Sequence, residues 1–258
     1  MKLIFVEGVS GVGKSTLTRK LFDELNEKGY STICYIEGDF QNPIDFYSTA
    51  YFNQVQYDNL LMEYHQLTSE IRQNTVYVDD IRLIRYYDRE LPLYTKPLLN
   101  ILRQHDFLFS PADYISISEY ARVYKSVWKQ FAREIGDKYE YMIFDGSLFH
   151  HPINDMIRNY NATIHQIAQH LNTLIRIVNL LNPRLIYLSS DNVAERLQRA
   201  RMCRNQSPPS EEKIRFWERR KQMDLAVMQF LSIPYNVYDI SGENWNEHLD
   251  AIIKTCIE

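Results

Sequence analysis

The chain has 258 residues, 45% hydrophobic and 24% charged, close to the globular average, which excludes a disordered, collagen-like or coiled-coil protein. Its 29 Lys plus Arg against 33 Asp plus Glu give a net charge of −4, so the overall basic footprint of a nucleic-acid binder is missing, and only a local patch could serve. The chain also holds 19 Tyr against 8 Gly, an aromatic excess that needs a place.

In chain order, Leu3 to Val6 is a short apolar run that reads as a fully buried strand. It is too short for a signal peptide or a membrane span, and no other run is long enough to span. Three scattered cysteines, Cys34, Cys203 and Cys256, with no CxxC pair, read as unrelated thiols in a reducing cytosol. A soluble cytoplasmic protein is expected. Leu17, Leu21 and Leu25 recur every four residues on one helix face, with Gly29 placed to end that helix. Thr32 to Ile36 is the second strand. The third is Tyr141 to Phe144, the fourth Leu185 to Leu188 and the fifth Tyr235 to Tyr238. Between the third and fourth, Ile164, Ile167, Leu171, Ile175, Val178 and Leu181 trace a helical stripe that stops at Asn182-Pro183. Strands separated by long helical segments imply βαβ units, a parallel sheet and helices on both faces.

About a hundred residues between the second and third strands break that rhythm, far more than a crossover needs. This segment, about 41–139, holds most of the tyrosines and reads as a helical insertion within one domain of 1–258, for example a helix over Ser118 to Ile135.

Gly8-Val9-Ser10-Gly11-Val12-Gly13-Lys14-Ser15 fits G-x-x-x-x-G-K-[ST], between a buried strand and an amphipathic helix. Such glycines let successive N–H groups point at phosphate oxygens, and the helix N-terminus adds a positive partial charge. The pattern assigns Gly8, Ser10, Gly11, Val12, Gly13, Lys14, Ser15 and Thr16 to a nucleotide's phosphates. Lys14 reaches the β- and γ-phosphates, and the Ser15 hydroxyl is a magnesium ligand. A Walker-type acid should follow another buried strand, and Asp145 does so; it would hold magnesium directly or through water. ATP and Mg2+ are the expected cofactors.

This loop, the acidic strand end and Asn182-Pro183-Arg184-Leu185-Ile186-Tyr187-Leu188 resemble the small-molecule kinases of the P-loop class, nearest the nucleoside and thymidylate kinases. The resemblance covers the sheet and an arginine-rich lid over about 196–212, with Arg196, Arg199, Arg201 and Arg204. It implies an α/β three-layer fold with five parallel strands in the order 2-3-1-4-5. It implies that a lid arginine, Arg199 or Arg204, stabilises the charge on the moving phosphoryl group. It also makes a carboxylate after the second strand, Glu37 or Asp39, the base for an acceptor hydroxyl. The run Glu37-Gly38-Asp39 is similar to the D-G-D of adenylylsulfate kinases. The loop Ser241-Gly242-Glu243-Asn244 is where related kinases hold adenine. Those families place Arg directly after the third-strand acid, whereas this chain has Asp145-Gly146-Ser147. That departure argues against a nucleoside monophosphate acceptor and for a hydroxyl on an uncharged or cationic small molecule, as in antibiotic-modifying kinases of the same fold.

His150 and His151 lack ligand spacing for zinc and are expected near the cleft, with His150 or His151 a substrate contact. Trp217 reads as core and Arg219-Arg220-Lys221 as a solvated helix face. The expected activity is ATP- and Mg2+-dependent phosphoryl transfer to a small-molecule hydroxyl, with no nucleic-acid or membrane partner. A nucleotide-hydrolysing switch or motor, or a nucleoside monophosphate kinase, are the alternatives; no N-K-x-D guanine motif is present. Tyr47, Tyr51 and Tyr124 would then contact the acceptor or, alternatively, fill a helical core.

Overall fold

The computed structural model describes residues 1–88, 91–108, 115–136, 138–242 and 245–257. Chain order runs β1 (Lys2–Gly8), α1 (Lys14–Glu27), β2 (Thr32–Tyr35), β3 (Thr49–Asn53), α2 (Gln54–Glu63), α3 (Thr68–Gln73), β4 (Thr75–Val78), β5 (Ile81–Arg85), β6 (Tyr87–Asp88), β7 (Leu91–Pro92), α4 (Lys96–Gln104) and α5 (Ile117–Glu134). It continues with β8 (Tyr141–Asp145), α6 (His150–Arg158), α7 (Ile164–Ile177), β9 (Arg184–Ser189), α8 (Val193–Cys203), α9 (Glu211–Met228), β10 (Tyr235–Asp239) and α10 (Trp245–Ile257). Two compact units divide it. The first is Met1–Glu37, Ile135–Asn154 and Ala162–Glu258; the second is Gly38–Glu134 and Asp155–Asn161.

The first unit is built on a five-stranded sheet in the order β10-β9-β1-β8-β2, with every pairing parallel. Counted over this sheet's own strands in chain order, that is 2-3-1-4-5; the whole-chain numbers jump because five strands of the second unit intervene. Leu3, Ile4, Phe5 and Val6 are fully buried, as the unbroken apolar run requires of a strand covered on both faces. Alternate side chains go to opposite layers. Ile4, Val6, Ile143, Ile186 and Leu188 pack with Leu17, Leu21 and Leu25 of α1 and with Ile252 and Ile253 of α10. On the other face Phe5 stacks on Phe144 at 5.6 Å, beside buried Met142, Leu185 and Tyr187. The stripe along α7 is buried at Ile167, Leu171, Leu174 and Ile175, behind a capping box made by Thr163 and Gln166. The fifth strand differs from its expected burial. As the sheet's edge, β10 is exposed along most of its length.

The second unit corrects the expectation of a helical insertion. It contains α2 to α5, but also an antiparallel sheet, β3-β5-β4, and the short ribbon β6-β7. The hairpin Thr75-Val76-Tyr77-Val78-Asp79-Asp80-Ile81-Arg82-Leu83-Ile84-Arg85 is rich in β-branched residues, with Tyr77 among them, around a two-residue turn with Asp79 at φ 50. Those are hairpin signals. They are short, and tyrosine spacing around them mimics a helical pattern.

Its core is aromatic. Ala50, Phe52, Tyr57, Leu60, Ile84, Tyr86, Tyr94 and Leu98 form one cluster. Phe46, Phe107, Tyr120 and Tyr124 form a second, with Phe46–Tyr124 edge-on at 4.5 Å and Phe107–Tyr120 stacked at 5.1 Å. Each buried hydroxyl needs a partner to offset its lost water. Tyr51 donates to Glu119 at 2.5 Å and Tyr120 to Asp155 at 3.0 Å. Among the described residues, no helix is long and apolar enough to cross a membrane.

Candidate functional site

In an open parallel sheet, ligands bind at the carboxyl ends of strands, where the order switches direction. Here β1 lies between β9 and β8, with Gly8 opposite Leu188 and Val6 opposite Asp145. The chain leaves β1 through the Gly8–Gly13 loop and enters α1 at Lys14.

Two glycines in that loop are forced. A Cβ on Gly8, at φ +142°, would sit 2.5 Å from the Leu188 carbonyl oxygen. One on Gly11, at φ +86°, would sit 2.8 Å from the Arg196 carbonyl and 3.1 Å from the Leu197 Cα. The loop is therefore pressed against the backbones of β9 and α8. Gly13 enters α1 with no side-chain cap, so the first amides of the helix take no side-chain acceptor there. Val12 is fully buried and anchors the loop from below.

A cavity of about 440 Å³ opens over this loop, lined by Ser10, Gly11, Gly13, Lys14, Ser15, Thr16, Arg19, Glu37, Ala200, Cys203 and Arg204. Lys14 is nearly buried, with Nζ 3.4 Å from the Val9 carbonyl. Ser15 Oγ donates to Asp145 Oδ2 at 2.5 Å, across 130 residues of sequence. Asp145 is 1% exposed, and its Oδ1 has no hydrogen-bond partner among the described residues. Burial raises the pKa of Asp145, while Lys14, the Ser15 hydroxyl and the Glu37 backbone N–H oppose that rise. A buried carboxylate oxygen beside a serine hydroxyl is the hard oxygen set that magnesium takes.

The other expected residues separate. Glu37 lines the cavity, whereas Asp39 belongs to the second unit and accepts the Gln41 N–H at 2.9 Å in a local turn. Arg204 lines the cavity, whereas Arg199 is exposed and paired with Glu195 at 2.5 Å. Arg196 is tied to Ser190 Oγ at 3.0 Å, and Arg201 to the Ser207 carbonyl at 2.5 Å. Of the loop expected to hold adenine, Glu243 and Asn244 lie outside the described residues. Tyr51 and Tyr124 are buried in the second unit, which favours their packing role; Tyr47 is 40% exposed.

Several residues escaped the sequence reading. Arg19 lies one turn beyond Ser15 on α1 and reaches the cavity. Glu7 is a charged residue at the end of an apolar strand, which was a visible signal. It is fully buried, its Oε1 accepts from Leu148 N at 2.7 Å and Phe149 N at 2.9 Å, and burial pushes it up to about 8. Arg219-Arg220-Lys221 is not a uniformly solvated face. Arg220 is 2% exposed and Lys221 8%, because Arg220 donates to Asp224 at 2.6 Å and Lys221 to Asp191 at 2.8 Å.

No protein-family profile matches the chain, and no curated protein matches it by sequence. Among solved structures, the YorR protein of Bacillus subtilis, crystallised with phosphorylated GDP, is similar in chain course. It has 12% identity over 98% of this chain and 94% of that one, with a TM-score of 0.47.

Proposed function

We propose that the chain is an ATP- and Mg2+-dependent phosphotransferase that moves a γ-phosphoryl group to a hydroxyl of a small molecule. The observation that carries this reading is the contact between Ser15 Oγ and Asp145 Oδ2, made beside Lys14 at the mouth of a glycine loop. Phosphoryl transfer demands positioning and charge stabilisation more than covalent chemistry. The loop amides and the α1 N-terminus would bind the phosphates, and Lys14 would neutralise the β- and γ-oxygens. Ser15 and Asp145 would hold magnesium, which supplies further neutralisation of the phosphate charge when bound.

Glu37 would receive the proton of the acceptor hydroxyl as its oxygen forms the new bond to phosphorus and the bond from that phosphorus to the bridging oxygen breaks, releasing ADP. Arg204 would stabilise the charge on the moving group. The missing arginine after Asp145 supports an acceptor without a phosphate of its own. A nucleoside monophosphate kinase is less well supported for that reason.

The test is a panel of nucleosides, nucleotides, sugars and aminoglycoside-like antibiotics, read as acceptor-dependent ADP release, with mass spectrometry of the product. Lys14→Ala is expected to lower turnover about a hundred- to a thousandfold. Wild-type turnover in that variant would sink the proposal. Hydrolysis that needs no acceptor and rises on adding DNA, RNA or protein would replace it with a switch or motor.

A further inference from the structure

We propose that His150 is a positioning residue whose imidazole holds the Glu37 carboxylate in place at the edge of the phosphate-loop cavity. The inference rests on the phosphotransferase reading, in which Glu37 receives the acceptor proton, and names the device that makes this exposed side chain usable. Glu37 follows the end of β2 with its side chain 35% exposed. An exposed glutamate samples many rotamers, and each unproductive one takes the base away from its proton.

His150 Nε2 lies 3.3 Å from Glu37 Oε1, at ion-pair distance. Unlike Glu37, the imidazole is fixed. It is 8% exposed and stacks on the Trp217 indole, with centroids 5.4 Å apart and planes 24° from parallel. Trp217 is itself 6% exposed and is held edge-on by Phe216 at 5.1 Å.

The turn that carries His150 is gripped from two sides. Glu7 accepts the N–H groups of Leu148 and Phe149. Arg220 donates to the carbonyl of Phe149 at 2.9 Å and to that of His150 at 3.2 Å. Arg220 is in turn fixed by Asp224, whose second oxygen accepts from Tyr187 at 2.9 Å. A buried network of this kind, gripping the turn from both sides, sets one geometry for the group it supports. One Glu37 oxygen committed to the imidazole leaves the other for the acceptor proton.

The test begins with the full chain carrying 15N-labelled histidine, the His150 ring signals being assigned by their loss in His150→Gln. Glu37→Gln is expected to displace the His150 Nε2 resonance and leave the other histidines in place. An unmoved resonance would overturn the pairing. The second arm uses whichever acceptor of the panel gives ADP release. His150→Ala is expected to lower kcat about ten- to a hundredfold, as loss of an outer-layer partner does, with the KM for ATP unchanged. His150→Gln, which keeps a donor near the carboxylate, is expected to retain more of kcat, and its melting temperature checks folding.

Wild-type kcat in His150→Ala while Glu37→Gln abolishes turnover would defeat the positioning role and leave the phosphotransferase standing. Full turnover in Glu37→Gln would defeat both the base and its support. If no acceptor gives turnover, the phosphotransferase reading fails, and the resonance arm alone decides whether the imidazole holds the carboxylate.

Discussion

The two compact units solve the same problem, burying polar groups inside a small core, in opposite ways. In the second unit many of the polar atoms are tyrosine hydroxyls at the rims of aromatic rings, and several are tied to a neighbouring carboxylate or hydroxyl. Tyr51 meets Glu119, Tyr120 meets Asp155, Tyr57 meets Tyr77 at 2.7 Å, and Tyr86 meets Asp106. In the first unit the core is largely aliphatic, and the buried polar residues include a set of ionisable groups, Glu7, Lys14, Asp145, Arg220 and Asp224. Here Glu7 Oε2 and Asp145 Oδ1 have no hydrogen-bond partner among the described residues. A tyrosine hydroxyl tied to its neighbour fits a packing role, whereas an unsatisfied buried carboxylate oxygen beside a glycine loop marks a candidate site. Aromatic abundance alone was the louder signal and the less informative one.

The comparison breaks if a ring in the second unit behaves as a binding group. Tyr124 is 1% exposed, so Tyr124→Ala should cost about 3–5 kcal/mol of stability by emptying a large buried volume. The readout is a denaturant midpoint, with the ATP KM of the folded fraction unchanged. A fully stable variant with an altered acceptor KM would return Tyr124 to substrate contact.

The next largest effect separates the two arginines of the α8 region. Arg204→Ala is expected to reduce kcat about a hundredfold, since it lines the cavity. Arg199→Ala removes an exposed i,i+4 pair, so its activity should stay within about twofold of wild type. The reverse order would show that the cavity does not mark the transferring phosphate.

The smallest effects are in pH. Glu7 is raised from 4.5 to about 8 by burial, so the folded chain binds more protons there than the unfolded chain. That contribution to stability is complete below about 4.5 and is lost as pH rises toward 8. His170, buried on α7 and lowered from 6.5 to about 4, acts with the opposite sign. Its contribution is present above 6.5 and is lost as pH falls toward 4. Thermal melts of wild type minus Glu7→Gln should therefore slope downward between pH 6.5 and 8. Melts of wild type minus His170→Leu should slope upward between pH 4 and 6.5. Parallel curves in either case would mean that the buried group does not titrate as its surroundings demand.

Much of the first unit could be read from residues alone. Its strands are unbroken apolar runs, and burial on both faces is the one environment such runs suit; Leu3–Val6, Tyr141–Phe144 and Leu185–Leu188 fall inside β1, β8 and β9. Lys14, Ser15 and Asp145 were legible because a loop motif and a strand end are local patterns. What stayed hidden depends on contacts across long separations. Glu37 and Asp39 are two residues apart and look alike, yet only Glu37 lines the cavity. Arg220 resembles its exposed neighbours until Phe149, His150 and Asp224 converge on it. The antiparallel sheet was missed because four- and five-residue strands carry little periodicity against a background of aromatic residues.

The tight seating of Gly8 and Gly11 has an evolutionary consequence. Each is held by a backbone neighbour, the Leu188 carbonyl for one and the Arg196–Leu197 peptide for the other, whether or not any ligand is bound. On the proposed phosphotransferase reading, a descendant that had lost that chemistry but kept its shape would still carry both glycines. Lys14 and the Ser15 hydroxyl are under no comparable steric demand, so drift would erase them first. Among diverged copies of this gene, those two positions, rather than the glycines, would separate the working proteins from the relics.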